Sequence, residues 1–204
     1  MYFRSIVRSI GHYKINIIIK ILIASDFIFW SSYQLFAPFF AIFVTDKIAG
    51  GGIETIGIAA ALYLICKSLF EIPVGMYIDR SKSEKDDLFS AFLGTFLIGI
   101  LYLGYLFITS VWELYLLQVL MGIAAAISYP GWCAIFTRHI DKGKEGFEWS
   151  LYDILSGIGM AGAAALGGFI IESFGFNSLF VLISIISIFS SFLLLLIKNQ
   201  LYKK

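Results

Sequence analysis

Charge is scarce in this sequence: Asp, Glu, Lys and Arg make up 14% of the 204 residues, where soluble domains carry about a quarter. That is too little polar surface to coat a globule in water. It excludes a soluble enzyme, a disordered tail and a small secreted scaffold. Cysteine is nearly absent, and Cys66 and Cys133 both lie in apolar stretches, where buried inert thiols are the expected reading. The two histidines, His12 and His139, sit in polar flanks, and no His-Glu-x-x-His or paired Cys/His spacing offers a metal site. A Gly-x-Ser-x-Gly elbow and a Gly-rich Lys-Ser/Thr phosphate loop are missing as well. The net charge of +1 gives no basic field for nucleic acid. The expectation is a protein that is not an enzyme and needs no cofactor, metal or nucleic acid.

What the chain has in abundance is apolar length. Residues of the apolar set make up 59% of it, 17% are aromatic, and the mean hydropathy is +0.88. A helix crossing the bilayer needs about 20 mainly apolar residues. Six segments qualify, at about 15–45, 55–78, 88–112, 114–137, 149–171 and 178–197. The runs are continuous rather than alternating, which predicts helices and not barrel strands. The fold class expected is therefore an all-α membrane protein, one domain of six transmembrane helices. Its first partner is the lipid bilayer.

The basic residues orient this bundle. Arg4, Arg8, Lys14 and Lys20 precede or open the first span, and Arg80, Lys82 and Lys85 follow the second. Arg138, Lys142 and Lys144 follow the fourth, and Lys198, Lys203 and Lys204 follow the sixth. Thirteen of the 15 basic residues thus fall on one side, leaving Lys47 opposite and Lys67 within a span. By the positive-inside rule that side, with both termini, is cytoplasmic, and the protein resides in the plasma (cytoplasmic) membrane. The basic residues before the first span imitate a signal peptide. That run is too long for one, and it is read as a retained span.

Ionisable groups within the spans are the candidate functional residues, because each costs several kcal/mol unless paired or hydrated. Asp26 and Lys67 are predicted at similar depth, about 15 Å from the cytoplasmic ends of the first two spans. Glu71 follows Lys67 by one helical turn and shares its face. This predicts an Asp26–Lys67–Glu71 cluster facing a wet cavity, a proton or substrate site near the midplane. The alternative is an internal ion pair that only fixes packing. Asp153, nearer an interface, is a further site candidate or a first-turn acid that suits the helix dipole. In the fifth span Gly159, Gly162, Gly167 and Gly168 form a surface for close helix packing. Pro38 and Pro130 are expected kinks, and Trp112 and Trp149 interfacial anchors.

The connection after the second span reads Gly75-Met-Tyr-Ile-Asp79-Arg80-Ser-Lys82-Ser-Glu84-Lys85. It resembles the cytoplasmic loop signature of the major facilitator superfamily, G-x-x-x-D-R-x-G-x-R-K, with Gly75, Asp79, Arg80 and Lys85 matching. A proline late in the first span, Gly122 with Ala124–Ala126 in the fourth, and Gly167-Gly168 ending the fifth agree with it. The likeness covers the chain, and corresponds to the N-terminal six-helix half of a family member. It implies a major-facilitator-like half bundle and alternating-access transport of a small solute. It also implies that Gly75, Asp79, Arg80 and Lys85 latch two halves together on the cytoplasmic side. The family's antiporter motif would place Gly-Pro at Ala163-Ala164, which it does not find here. The position often held by a proton-coupling arginine is Gln118. Gln118 thereby joins the site candidates, and the coupling role shifts to Asp26 and Glu71. A half needs a second half, so the expected partner is another copy in a two-fold dimer, or a related six-helix chain. The competing expectations are a non-transporting scaffold or regulatory subunit and, behind it, a membrane enzyme.

Overall fold

The computed structural model describes residues 15–81 and 83–201, all of the ordered elements being helical. Arg4, Arg8, His12, Lys14, Lys82, Lys203 and Lys204 lie outside the described residues. Helix α1 is Ile17–Gln34, followed by a 3-10 turn Ala37–Phe39 and by α2, Phe40–Lys47. Next come α3 (Ile53–Arg80), α4 (Glu84–Gly104) and α5 (Val111–His139). The long helical run α6 (Glu145–Leu194) precedes a 3-10 turn Leu195–Ile197 and α7 (Lys198–Leu201).

Local chemistry sets the boundaries. The Asn16 side chain accepts from the Ile18 amide at 3.0 Å and caps α1. Pro38 sits in the 3-10 turn, where its fixed φ and missing N–H interrupt the α1 ladder, so one predicted span is divided into α1 and α2. The third span does not run to residue 112 as expected: α4 stops at Gly104. There, 3-10-type bonds from Tyr105, Leu106 and Phe107 tighten the chain. Helix α5 then starts in a capping box. The Ser110 side chain accepts from the Glu113 amide, and Glu113 Oε2 accepts from the Ser110 amide at 2.9 Å. Apolar residues fill the connection, so hydropathy alone runs the two helices together.

Within α6, Gly175 has φ 78° and ψ 170°, a conformation open essentially to glycine. Side-chain pairs show what this does. Tyr152 meets Asp26, a Cβ on Gly159 would touch Ser31, and one on Gly167 would touch Leu35, so the first limb runs parallel to α1. Beyond Gly175, Phe180 meets Phe36, Ser187 meets Ser32 and Ser190 meets Ser25, in the opposite sense. The chain doubles back at Gly175.

Helix α1 packs against both limbs of α6, α4 packs against α5 and α6, and α3 packs mainly on α5. One core cluster is aromatic, centred on Phe36, whose ring lies 4.9 Å from Phe180 and 5.2 Å from Tyr105. The other holds Ile19, Leu22, Leu88, Ile135, Phe136 and Leu194. Many large apolar side chains point outward, among them Leu69, Ile72, Phe107 and Phe169, as lipid-facing surface requires. Helix α3 is the extreme case: 11% of its most apolar stretch is buried, against 50% for α5.

The end of the bundle that gathers Asn16, Arg80, Glu84 and His139 carries a polar network. Arg138 Nη1 donates to Asp87 Oδ2, an acid with no exposed surface. His139 Nε2 lies 3.8 Å from Glu84. The Asp141 amide donates to the buried Glu148 at 3.3 Å. Lys47 lies at the other end, where the Ala49 amide bonds Thr109 O at 2.8 Å. Arg138, which lines a groove with Asp79, and Lys144, paired with Asp141 at 2.9 Å, thus lie at the end opposite Lys47.

Candidate functional site

A cavity of about 80 Å³ opens between α1, α3, α4 and α5. Asp26 and Lys67 both line it, so the two spans do bring their isolated charges to one place. They do not form the cluster expected from sequence. Asp26 Oδ2 accepts from the Tyr152 hydroxyl at 3.0 Å and from Trp30 Nε1 at 3.2 Å. Among the described residues no cation lies within 4.0 Å of it. Among the described residues its Oδ1 accepts no hydrogen bond, and that oxygen is not fully buried. Lys67 is engaged elsewhere. Its ammonium lies 4.0 Å from Glu71 Oε2 and 4.8 Å from the centroid of the Tyr129 ring. The reason is geometric: Glu71 sits one turn along the same helix, within reach of a flexible lysine, while Asp26 is anchored on α1 by two donors.

The rest of the lining is aromatic and small-polar. Tyr33, Tyr63, Tyr102, Tyr129 and Trp132 surround the charges, with Thr95 and Ser128 bonded to each other at 2.8 Å. The Trp132 indole N–H is buried without an acceptor. A second cavity of about 260 Å³ shares Tyr33, Tyr63, Tyr102 and Met121 with the first and continues towards Phe36 and Phe40. Gln118 belongs here: it is buried and its Nε2 donates to the Tyr105 hydroxyl at 2.7 Å.

Close helix contact shapes these walls. A Cβ on Gly122 of α5 would meet the Tyr63 carbonyl of α3 at 2.5 Å, and one on Gly167 would meet the Leu35 carbonyl at 2.0 Å. Only glycine lets those backbones approach so closely. Gly159 and Gly168 likewise face Ser31 and Phe39, whereas Gly162 faces open space.

Asp153 stands apart. It is exposed and lines neither cavity, and it is not a first-turn acid, because α6 begins at Glu145, two turns earlier. Glu145 and Glu148 occupy that first turn. The loop-motif residues are split. Gly75 and Asp79 line a groove of about 410 Å³ with Pro130, Thr137 and Arg138, while Lys85 borders a separate one with Leu195 and Lys198. Asp79 and Arg80 are exposed and, among the described residues, have no ion pair within 4.0 Å. A Cβ on Gly75 would make only an ordinary contact, 3.9 Å from Pro130 Cβ.

Sequence reasoning missed Tyr152, Tyr129 and the Asp87–Arg138 pair. The helical spacing of Asp26 and Trp30 was a legible signal for one partner. Tyr152 lies 126 residues from Asp26, and nothing local announces it.

Comparison with known proteins completes the description. Residues 22–203 match the family model described as "Major Facilitator Superfamily". The chain is also similar to the "Uncharacterized MFS-type transporter YitZ" of Bacillus subtilis (strain 168), at 26% identity over 167 residues. That alignment spans 82% of this chain and 98% of the Bacillus protein, which is therefore no longer than the chain described above.

Proposed function

Because the chain belongs to the major facilitator superfamily, a family of membrane transporters rather than enzymes, we propose that it carries a small solute across the membrane by alternating access, as one of two half bundles. Taking each limb of α6 as a span gives six. The basic end is then the cytoplasmic side of the plasma membrane, with both chain ends there. The second half is another copy of this chain, related by a two-fold axis along the membrane normal.

One observation carries this reading: Asp26 and Lys67 face one cavity whose outer wall, α3, is the least covered helix of the bundle. Buried charge is expensive in lipid, and a scaffold has no use for it. A second half bundle against α3 would enclose the cavity. The two halves would rock about it, and Asp79 and Arg80, which have no ion pair among the described residues, would bond the facing half when the cytoplasmic side is shut. Asp26 supplies a coupling step. Oδ2 is held by two neutral donors while Oδ1 stays open to take a proton, and a neutral carboxyl costs less to enclose in an apolar cavity than a charged one.

Cysteine accessibility tests this without knowledge of the solute. In a Cys66→Ser, Cys133→Ser background, a single cysteine replacing the cavity-lining Ala125 should react with a membrane-impermeant thiol reagent from either face of the vesicle. Reaction from one face only would identify a static bundle and end the transport reading. Cross-linking in native membranes should give a band of twice the chain mass; a monomer band alone would remove the homodimer.

A further inference from the structure

We propose that the solute is a monovalent organic cation with a flat apolar body. The proposal deepens the transport reading and rests on it, but its evidence is the distribution of charge and aromatic faces in the cavity.

Asp26 is an acid with no cation within 4.0 Å among the described residues. Both groups that bond it are neutral and both take Oδ2, leaving Oδ1, on a residue that lines the cavity, without a hydrogen bond among the described residues. The basic group nearby is already matched: Lys67 sits 4.0 Å from Glu71 and over the Tyr129 ring. Asp26, Lys67 and Glu71 together therefore carry one uncompensated negative charge when ionised. An anionic solute would have to draw Lys67 away from two partners and approach Asp26. A cation meets an unpaired carboxylate directly.

The walls add a second selection. Tyr33, Tyr63, Tyr102 and Trp132 line the same space, and the first three continue into the adjoining cavity apart from the charges. Aromatic faces attract cations through the ring quadrupole, most strongly where water is excluded. The protein itself shows the geometry, with the Lys67 ammonium 4.8 Å from the Tyr129 centroid. The same faces stack on a flat apolar body. A small inorganic cation would leave this apolar surface unused.

The test uses one molecular body in three charge states. Radiolabelled N-methyl-4-phenylpyridinium is the probe for binding to the full chain, purified in detergent and reconstituted in liposomes. Uncharged 4-methylbiphenyl and anionic biphenyl-4-carboxylate serve as competitors. The cation should bind saturably, and neither competitor should displace it at equal concentration. Asp26→Asn should weaken binding at least tenfold, since it replaces a charge-assisted contact by a neutral one, while Asp26→Glu retains it. Tyr33→Leu should weaken it severalfold and Tyr33→Phe should not, since Tyr33 lines both cavities; equal binding by Tyr33→Leu would remove the aromatic part of the assignment. Each variant is first shown to elute as folded protein. Absence of saturable binding, equal competition by the carboxylate, or unchanged binding by Asp26→Asn would overturn the cation assignment. Asp26-dependent binding without counterflow in the liposomes would keep the assignment and end the transport reading instead.

Discussion

Removing Arg138 should unmask the cost of a carboxylate buried at the basic end of the bundle. Asp87 has no exposed surface, and Arg138 is its charged partner, while Oδ1 has no hydrogen bond among the described residues. Breaking a buried ion pair from one side costs about 3–5 kcal/mol, because the surviving charge is stranded. The Arg138 side chain is 38% exposed, so water screens part of the pair and brings the cost below that range. Arg138→Gln should cost about 2–3 kcal/mol. Asp87→Asn should cost less, since the guanidinium can turn to water. The double variant should recover at least half the loss of Arg138→Gln, because no charge is then buried. Unfolding in bicelles, followed by helical circular dichroism through the full double-mutant cycle, reads all three. Additive losses, or a cost of Arg138→Gln below about 0.5 kcal/mol, would refute the view that this pair ties α4 to α5.

Other parts of the molecule yield equally direct expectations. Gly175→Ala should destabilise the bundle by about 1–3 kcal/mol, the range for a side chain forced into a glycine-only conformation, measured in the same unfolding assay. Gly167→Leu should do more damage, since even its Cβ would lie 2.0 Å from the Leu35 carbonyl; loss of the folded peak in size-exclusion chromatography is the readout. Glu113→Ala opens the capping box of α5 and should fray its first turn, with hydrogen exchange rising first at the amides of Thr109 and Ser110.

Much of the architecture was legible because lipid imposes a simple rule: long apolar runs become helices. The limits of that rule are equally plain. Residues 105–111 are nearly all apolar, so hydropathy carried the third span past Gly104; the Ser110-x-x-Glu113 pattern was the available sign of a new start. The acids at 84–87 read as a polar connection, yet Asp87 turns inward, because its partner on α5 is 51 residues away. Asp26 was conspicuous as an acid in an apolar run. Its pairing was not, since a tyrosine in helix six's first limb carries no mark of its destination. Lys67 illustrates the opposite case: a neighbour one turn away on the same helix prevailed over the expected partner on another.

The serine seam between α1 and the second limb of α6 has a consequence for how the protein is made. Ser25 and Ser190 exchange hydroxyl-to-carbonyl bonds at 3.0 and 2.8 Å across 165 residues, and Ser32 meets Ser187 across 155. At about 5–20 residues per second, the ribosome supplies those partners on the order of ten seconds or more after the first helix has emerged. Ser32 is provided for meanwhile, because its hydroxyl also donates to the Phe29 carbonyl of its own helix at 2.7 Å. The Ser25–Ser190 pair has to wait. Helix α1 is thus closed by the second limb of α6, and a ribosome that stalls before Ser190 leaves the Ser25 hydroxyl without this partner, on display to any membrane quality-control factor that reads it.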